Sequence, residues 1–254
     1  NLALMTASGR GVARDLNGAA GWYLRAARQG FALAQYNLAE MYLDGRGVPK
    51  NPSVAAKWYR RAAALGHPRA QFGLGVLYQT GVGVAKDATE AAGWYTRAAE
   101  QGLDVAQYNL AILHDSGLIP DRTFDDAAGW YTRAARQGHA KAQYAVGQMH
   151  ERGDRLPYDG KMAVEWYRRA AEAGLAGAQS RLGAMYASGM FVPQNDREAA
   201  LWFARAGAQG DAIAQYHLGL FYEVGRGLSQ DVGAAIAWYR AAAGNGHSIA
   251  QNNL

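Results

Sequence analysis

All seven tryptophans of this 254-residue chain stand 36 residues apart: Trp22, Trp58, Trp94, Trp130, Trp166, Trp202 and Trp238. Trp is rare and large, so chance does not place seven of them on one ruler. A period of this length marks a chain built from stacked supersecondary units. Such an array grows by addition and each unit touches only its neighbours, so residues 1–254 read as a single repeat domain of about seven units. Half of the residues are apolar and 19% are charged, which places the chain among folded proteins.

The ruler fixes two columns of glycine. Gly30, Gly66, Gly102, Gly138, Gly174, Gly210 and Gly246 form one; Gly9, Gly45, Gly81, Gly117, Gly153, Gly189 and Gly225 form the other. Gly accepts the left-handed conformation that ends a helix, so each unit holds two helices and two turns. Asp15, Asn51, Asp87, Thr123, Asp159, Asn195 and Asp231 recur where the first helix should begin, and each can cap it. Glu90 and Glu198, three residues on, are placed for capping boxes. One helix is predicted near residues 16–29, with Ala19, Trp22, Tyr23, Ala26 and Ala27 as its apolar stripe. The other is predicted near 32–44, with Ala34, Leu38, Met41 and Tyr42 facing the core. An Ala-Gln pair opens every copy of this second helix, from Ala34-Gln35 to Ala250-Gln251. A Gln fixed between packed helices points to a bond with a backbone group in a turn.

These columns, with the loops Gly45-Arg46-Gly47-Val48 and Gly81-Val82-Gly83-Val84, resemble the Sel1-like repeat family, relatives of the tetratricopeptide repeats. The resemblance covers essentially the whole chain. It implies an all-α fold, a right-handed superhelical solenoid of antiparallel helix pairs. It also implies an adaptor or scaffold without catalytic activity that binds a protein or peptide partner in its concave groove. Bacterial members of the family act in the cell envelope or in host contact, which tilts the expected compartment toward bacterial periplasm or envelope. The chain starts and stops inside a helix pattern, without the polar caps that end a solenoid. An excerpt of a longer protein is therefore expected.

Columns that stay constant hold the fold, and exposed columns that vary are free to recognise. The resemblance puts the Ala-Gln helices on the concave wall. There the candidate partner-binding residues are Tyr36, Asn37, Glu40, Arg69, Phe72, Tyr108, Asn109, Lys141, Tyr144 and Arg181. The aromatic column Tyr36, Phe72, Tyr108, Tyr144 and Tyr216, broken by Ser180, fits either packing or a row of rings gripping an extended ligand. Asn37 and Asn109 resemble the asparagines with which some tetratricopeptide repeats hold a peptide backbone. The lysines of a C-terminal-carboxylate clamp do not recur. A second stripe, Arg25, Arg61, Arg97, Arg133, Arg169 and Arg205, follows each Trp by three residues. Either these arginines cover the Trp faces by cation–π contact, or they form an alternative anion-binding ladder for a polysaccharide or similar polymer. Third, Gly47, Gly83 and Gly227 give way to Ile119, Arg155 and Phe191. Leu118, Ile119, Met190 and Phe191 then either line an exposed edge or tuck under the neighbouring unit.

Several chemistries have no footing in the sequence. There is no cysteine, no H-E-x-x-H, no phosphate-cradling loop and no nucleophile elbow, so no cofactor, metal or small-molecule substrate is implied. His67, His139 and His247 open the Ala-Gln helix. His114 and His150 replace its Tyr, a pair that would matter only if stacking brought them together. The net charge of +5 comes without a Lys/Arg run, which argues against nucleic acid. No apolar run approaches the roughly 18 residues of a membrane span, so no membrane contact by this segment is expected.

Overall fold

The computed structural model describes residues 2–118 and 124–252. Among these residues every regular element is an α-helix. After α1 (Leu2–Ser8) come the pairs α2 (Leu16–Arg28) and α3 (Ala32–Asp44), α4 (Pro52–Ala64) and α5 (Pro68–Thr80), and α6 (Ala88–Glu100) and α7 (Asp104–Asp115). Next are α8 (Phe124–Arg136) and α9 (Ala140–Arg152), α10 (Gly160–Glu172) and α11 (Ala176–Ser188), and α12 (Asp196–Ala208) and α13 (Ala212–Val224). The last pair is α14 (Val232–Gly244) and α15 (Ser248–Asn252). Contacts divide the chain into two units, residues 1–130 and 131–254, and each is an α-solenoid of stacked pairs.

The helix starts follow the cap column. Asp15, Asn51, Asp87, Asp159, Asn195 and Asp231 accept backbone N–H bonds of 2.9–3.2 Å from the first turn of their helices. Thr123 lies outside the described residues. The capping boxes expected at Glu90 and Glu198 are not made. The N–H groups they would take, on Asp87 and Asn195, donate instead to Tyr78 O and Tyr186 O, both at 2.9 Å. The same bond ties Asn51 to Tyr42, Asp159 to His150 and Asp231 to Tyr222, so the returning chain is pinned to the last turn of the preceding helix. The opening histidines prove to be caps as well. Nδ1 of His67, His139 and His247 accepts the N–H of Ala70, Ala142 and Ala250 at 3.2 Å.

Alanines form the contact surfaces between helices, and the aromatic pair of each first helix fills the volume between repeats. Trp58 packs on the α2/α3 core, Trp94 on that of α4/α5, and Trp130 on that of α6/α7. In the second unit Trp202 joins the α10/α11 core and Trp238 that of α12/α13. The tryptophans are thus staples to the preceding repeat, and Trp22, preceded only by α1, stays 40% exposed. The adjoining Tyr or Phe ring lies directly on the previous second helix. A Cβ added at Gly75 would sit 2.6 Å from the Tyr95 ring, at Gly183 2.8 Å from Phe203, and at Gly219 2.6 Å from Tyr239.

The Ala-Gln column closes the turn inside each pair. Nε2 of Gln35, Gln71, Gln107, Gln143, Gln179, Gln215 and Gln251 donates to the carbonyl eight residues back, at 2.8–3.2 Å. That carbonyl belongs to the last turn of the first helix, where no intrahelical donor remains. A relay between repeats continues from the Gln oxygen. Gln101 donates to Gln71 at 2.7 Å, Gln209 to Gln179 at 2.8 Å, and Asn245 to Gln215 at 2.9 Å. Leu65 and Ala173 hold the donor's position opposite Gln35 and Gln143, and the Oε1 atoms of those two buried glutamines have no hydrogen-bond partner.

The divergent loop at Phe191 is resolved by packing. Phe191 and Arg155 adopt φ of 65° and 67°, the left-handed conformation that Gly47, Gly83 and Gly227 hold in other repeats. Such a backbone costs a residue with a side chain on the order of 1 kcal/mol or more. The Phe191 ring is accommodated because α10 begins with glycine: a Cβ on Gly160 would lie 2.2 Å from its Cδ1. Met190 and Phe191 pack on the α10/α11 core, so they are tucked in; Leu118 is 59% exposed, and Ile119 lies outside the described residues.

Two expected outcomes follow from this packing. Leu65→Gln and Ala173→Gln, each at an exposed helix end, should supply the missing donors and raise unfolding stability by about 1 kcal/mol apiece, read as a higher urea midpoint. A midpoint that stays or drops would refute the relay. Gly160→Ala should cost about 1–3 kcal/mol, and much less in a Phe191→Gly background. An equal cost in both backgrounds would remove the steric account.

Candidate functional site

The second helices α3, α5, α7, α9, α11 and α13 carry the variable columns. In the first unit Tyr36, Asn37 and Glu40 of α3 and Arg69 of α5 line a cavity of about 380 Å³ with Arg14, Tyr23 and Arg46. Tyr36, Glu40 and Arg69 also border a second cavity of about 530 Å³, which Phe72, Val76 and Leu103 make largely apolar. In the second unit Tyr144 and Arg181 line a cavity of about 460 Å³ with Gln148, Glu151, Arg152 and Tyr167. A fourth, of about 770 Å³, is walled by Phe203, His217, Leu220, Phe221 and Val224. Tyr108 and Asn109 are half-buried on α7, and Lys141 is exposed on α9.

The aromatic column packs against the next repeat. Tyr36 lies 6.0 Å from Tyr59 and stacks at 4.9 Å on His67. Phe72 meets Tyr95 at 5.5 Å, Tyr144 meets Tyr167 at 5.4 Å, and Tyr216 meets Tyr239 at 5.7 Å. These rings are half-buried: one side contacts the next repeat and the other borders the open face. Ser180, where the column breaks, is buried.

A row of residues not singled out in the sequence builds the floor of the face. The Tyr following each Trp reads as a volume filler, yet its hydroxyl reaches through to the second-helix side. Tyr95 donates to Gln79 at 2.7 Å, Tyr167 to Glu151 at 2.6 Å, and Tyr239 to Glu223 at 2.5 Å. Tyr59, opposite Leu43, turns to Glu40 instead. Burial pushes the phenols of Tyr59, Tyr95, Tyr167 and Tyr239 well above their ordinary range, and the Glu40 and Glu223 carboxylates add to this at Tyr59 and Tyr239. All four remain hydrogen-bond donors at any physiological pH. In the sixth repeat the ring is Phe203 and the facing residue is Ala187, so the hydroxyl and its acceptor are lost together. That paired change is the sequence signal by which the floor could have been found.

Charge is arranged differently in the two units. In the second, Glu151 takes the Tyr167 hydroxyl and is also paired with Arg181, whose Nε lies 3.2 Å away. Arg226 grips Asp196 at 2.8 Å, which holds that carboxyl below its ordinary range. In the first, Arg46 pairs with Asp44 at 2.9 Å, whereas Arg14 and Arg69 have no carboxylate partner within 4.0 Å among the described residues. The Trp-bearing helices carry the arginine stripe. Arg25, Arg61, Arg97, Arg169 and Arg205 sit 4.3–4.7 Å from the ring centres of the Trp three residues before them. Among the described residues no group of three or more His, Cys, Asp or Glu is placed to hold a metal, and no helix is long and apolar enough to cross a membrane.

The Sel1 repeat model matches seven consecutive segments, residues 1–31, 32–67, 68–103, 104–139, 140–175, 176–211 and 212–247. A solved Sel1 repeat protein from Oxalobacter formigenes is 36% identical, with a TM-score of 0.84 over 99% of this chain and 72% of its own. The protective antigen c5321 of uropathogenic Escherichia coli, with an SLR fold, is 29% identical, with a TM-score of 0.62 over 99% of this chain. This chain spans 63% of the length of c5321. The immunity protein PA5088 of Pseudomonas aeruginosa, 20% identical with a TM-score of 0.51 over 85% of this chain and 82% of its own, shares the fold alone. No curated protein matches. With its repeat columns matched from residue 1 to residue 247, the chain belongs to the Sel1 repeat family.

Proposed function

We propose that this chain is a non-catalytic adaptor that binds a protein or peptide partner on the face of its second helices. Proteins of the Sel1 repeat family generally serve as interaction scaffolds. The observation that carries the reading is the mixed composition of that face. Half-buried rings, amides and charged groups line open cavities there, while the opposite helices repeat one Trp–Arg arrangement along the chain. Rings that are already fixed by packing lose little freedom on binding, which favours them as contact residues. Tyr36, Asn37, Glu40, Arg69, Phe72, Tyr108 and Asn109 of the first unit, and Lys141, Tyr144 and Arg181 of the second, are the residues assigned to this role.

The alternative is an envelope scaffold holding an anionic polymer on the arginine stripe. Its support is the regular spacing of the guanidiniums. A guanidinium stacked on a ring by its flat face keeps N–H groups for an anion.

Capture of a partner on the immobilised protein, followed by calorimetric titration, separates the two. Replacing Asn37, Tyr108 and Asn109 with alanine together should weaken binding roughly tenfold or more while leaving helicity by circular dichroism intact. Reversing charge at Arg61, Arg97 and Arg133 should change affinity only for a polyanion, with steep salt dependence. A captured partner indifferent to both sets would overturn both readings.

A further inference from the structure

The two cavities of the first unit differ in chemistry and share a wall. The smaller holds three guanidiniums, from Arg14, Arg46 and Arg69. Arg46 is occupied by Asp44 at 2.9 Å, and the carboxylate inside the cavity, Glu40, already takes the Tyr59 hydroxyl. Arg14 and Arg69 face the same space with no carboxylate within 4.0 Å among the described residues. With Arg46 paired to Asp44, the lining sets the two guanidiniums of Arg14 and Arg69 against the single carboxylate of Glu40, and this excess of positive charge raises a local potential that an entering anion lowers. The larger cavity begins at Tyr36, Glu40 and Arg69 and continues between Phe72, Val76 and Leu103. In the corresponding cavity of the second unit Arg181 is held by Glu151, which leaves Arg152 as the one lining guanidinium without a carboxylate within 4.0 Å among the described residues.

We propose that the first unit recognises an extended acidic peptide segment, placing an Asp or Glu side chain between Arg14 and Arg69 and a neighbouring large apolar side chain against Phe72 and Val76. The assignment rests on the reading of this face as a peptide-binding surface. Charge complementarity selects the carboxylate, since a planar guanidinium pairs with it through two parallel N–H bonds. The shared wall selects an extended chain, because one strand passing Tyr36 and Arg69 enters both cavities. A carboxylate at a chain end would satisfy the same cations, so the test separates that source from a side chain.

The experiment uses the whole chain and a displayed library of random linear peptides, with enriched sequences resynthesised with acetylated N-termini and amidated C-termini. Enriched peptides should carry Asp or Glu within a few residues of Leu, Ile, Met or Phe. Arg69→Gln should weaken such a peptide about tenfold or more and leave the affinity of its Asp→Asn or Glu→Gln version unchanged. Val76→Asp should weaken both versions. Arg69 is exposed, so its replacement should leave the thermal midpoint in place. Binding that requires a free C-terminal carboxylate would overturn the side-chain assignment. Enriched peptides without an acid that are nonetheless lost on Asn37→Ala would overturn this inference and leave the groove reading standing. Peptides indifferent to Arg69→Gln, Val76→Asp and Asn37→Ala would overturn both.

Discussion

One contact recurs within each unit and carries the rest: the ring of Tyr95, Tyr167, Phe203 or Tyr239 lies against a glycine of the second helix before it. Gly75, Gly183 and Gly219 leave no room for a side chain beneath Tyr95, Phe203 and Tyr239. A two-helix unit cannot bury its own apolar faces, so it is stable only when a neighbour covers them. The ring on glycine does that covering, and the tryptophan one residue earlier staples the same two repeats from the side. Burying a ring of this size stabilises by about 1.5–3 kcal/mol, and the contact recurs between successive repeats of a unit.

The same contact sets the chemistry of the open face. A buried phenol must find a partner for its hydroxyl, so each Tyr calls for an acceptor on the second helix. Gln79, Glu151 and Glu223 answer, and Glu40 does so where Leu43 cannot. Fold and open face are therefore coupled: Glu40, Glu151 and Glu223 of that face are held by phenols of the packed first helices. Phe203 shows the converse. Without a hydroxyl it faces Ala187, and the cavity above it is walled mainly by apolar side chains, with Arg181 and Arg226 at its lining.

The buried glutamines show the same economy of polar groups. Each satisfies a helix-end carbonyl that packing would otherwise leave without a donor, and Gln71, Gln179 and Gln215 also accept a bond from the next repeat. The histidine caps do this for helix starts. The variation at the start of the second helices is in part hydrogen-bond accounting, since His67, His139, Asp211 and His247 all cap there. Arg14 and Arg69 differ from Arg46 and Arg181 in having no carboxylate within 4.0 Å among the described residues.

By itself the sequence determined the period, the helix pairs, their caps and stops, and the family. These depend on local chemistry repeated at fixed spacing: a glycine that ends a helix, an aspartate that begins one, an Ala-Gln pair that closes a turn. It also placed Tyr36, Asn37, Glu40, Arg69 and Phe72 on one face, since a helix period is legible in one dimension. Three things were decided only in three dimensions. The N–H groups of Asp87 and Asn195 went to tyrosine carbonyls of the preceding helix, because the returning loop closes onto that helix's last turn. Phe191 turned inward over Gly160, a fit between residues whose spacing differs from the repeat. And which arginines keep an unspent charge depended on carboxylates as far as 30 residues away, as Arg181 and Glu151 show. A period identifies equivalent positions within the chain; which of them meet across repeats is set by packing.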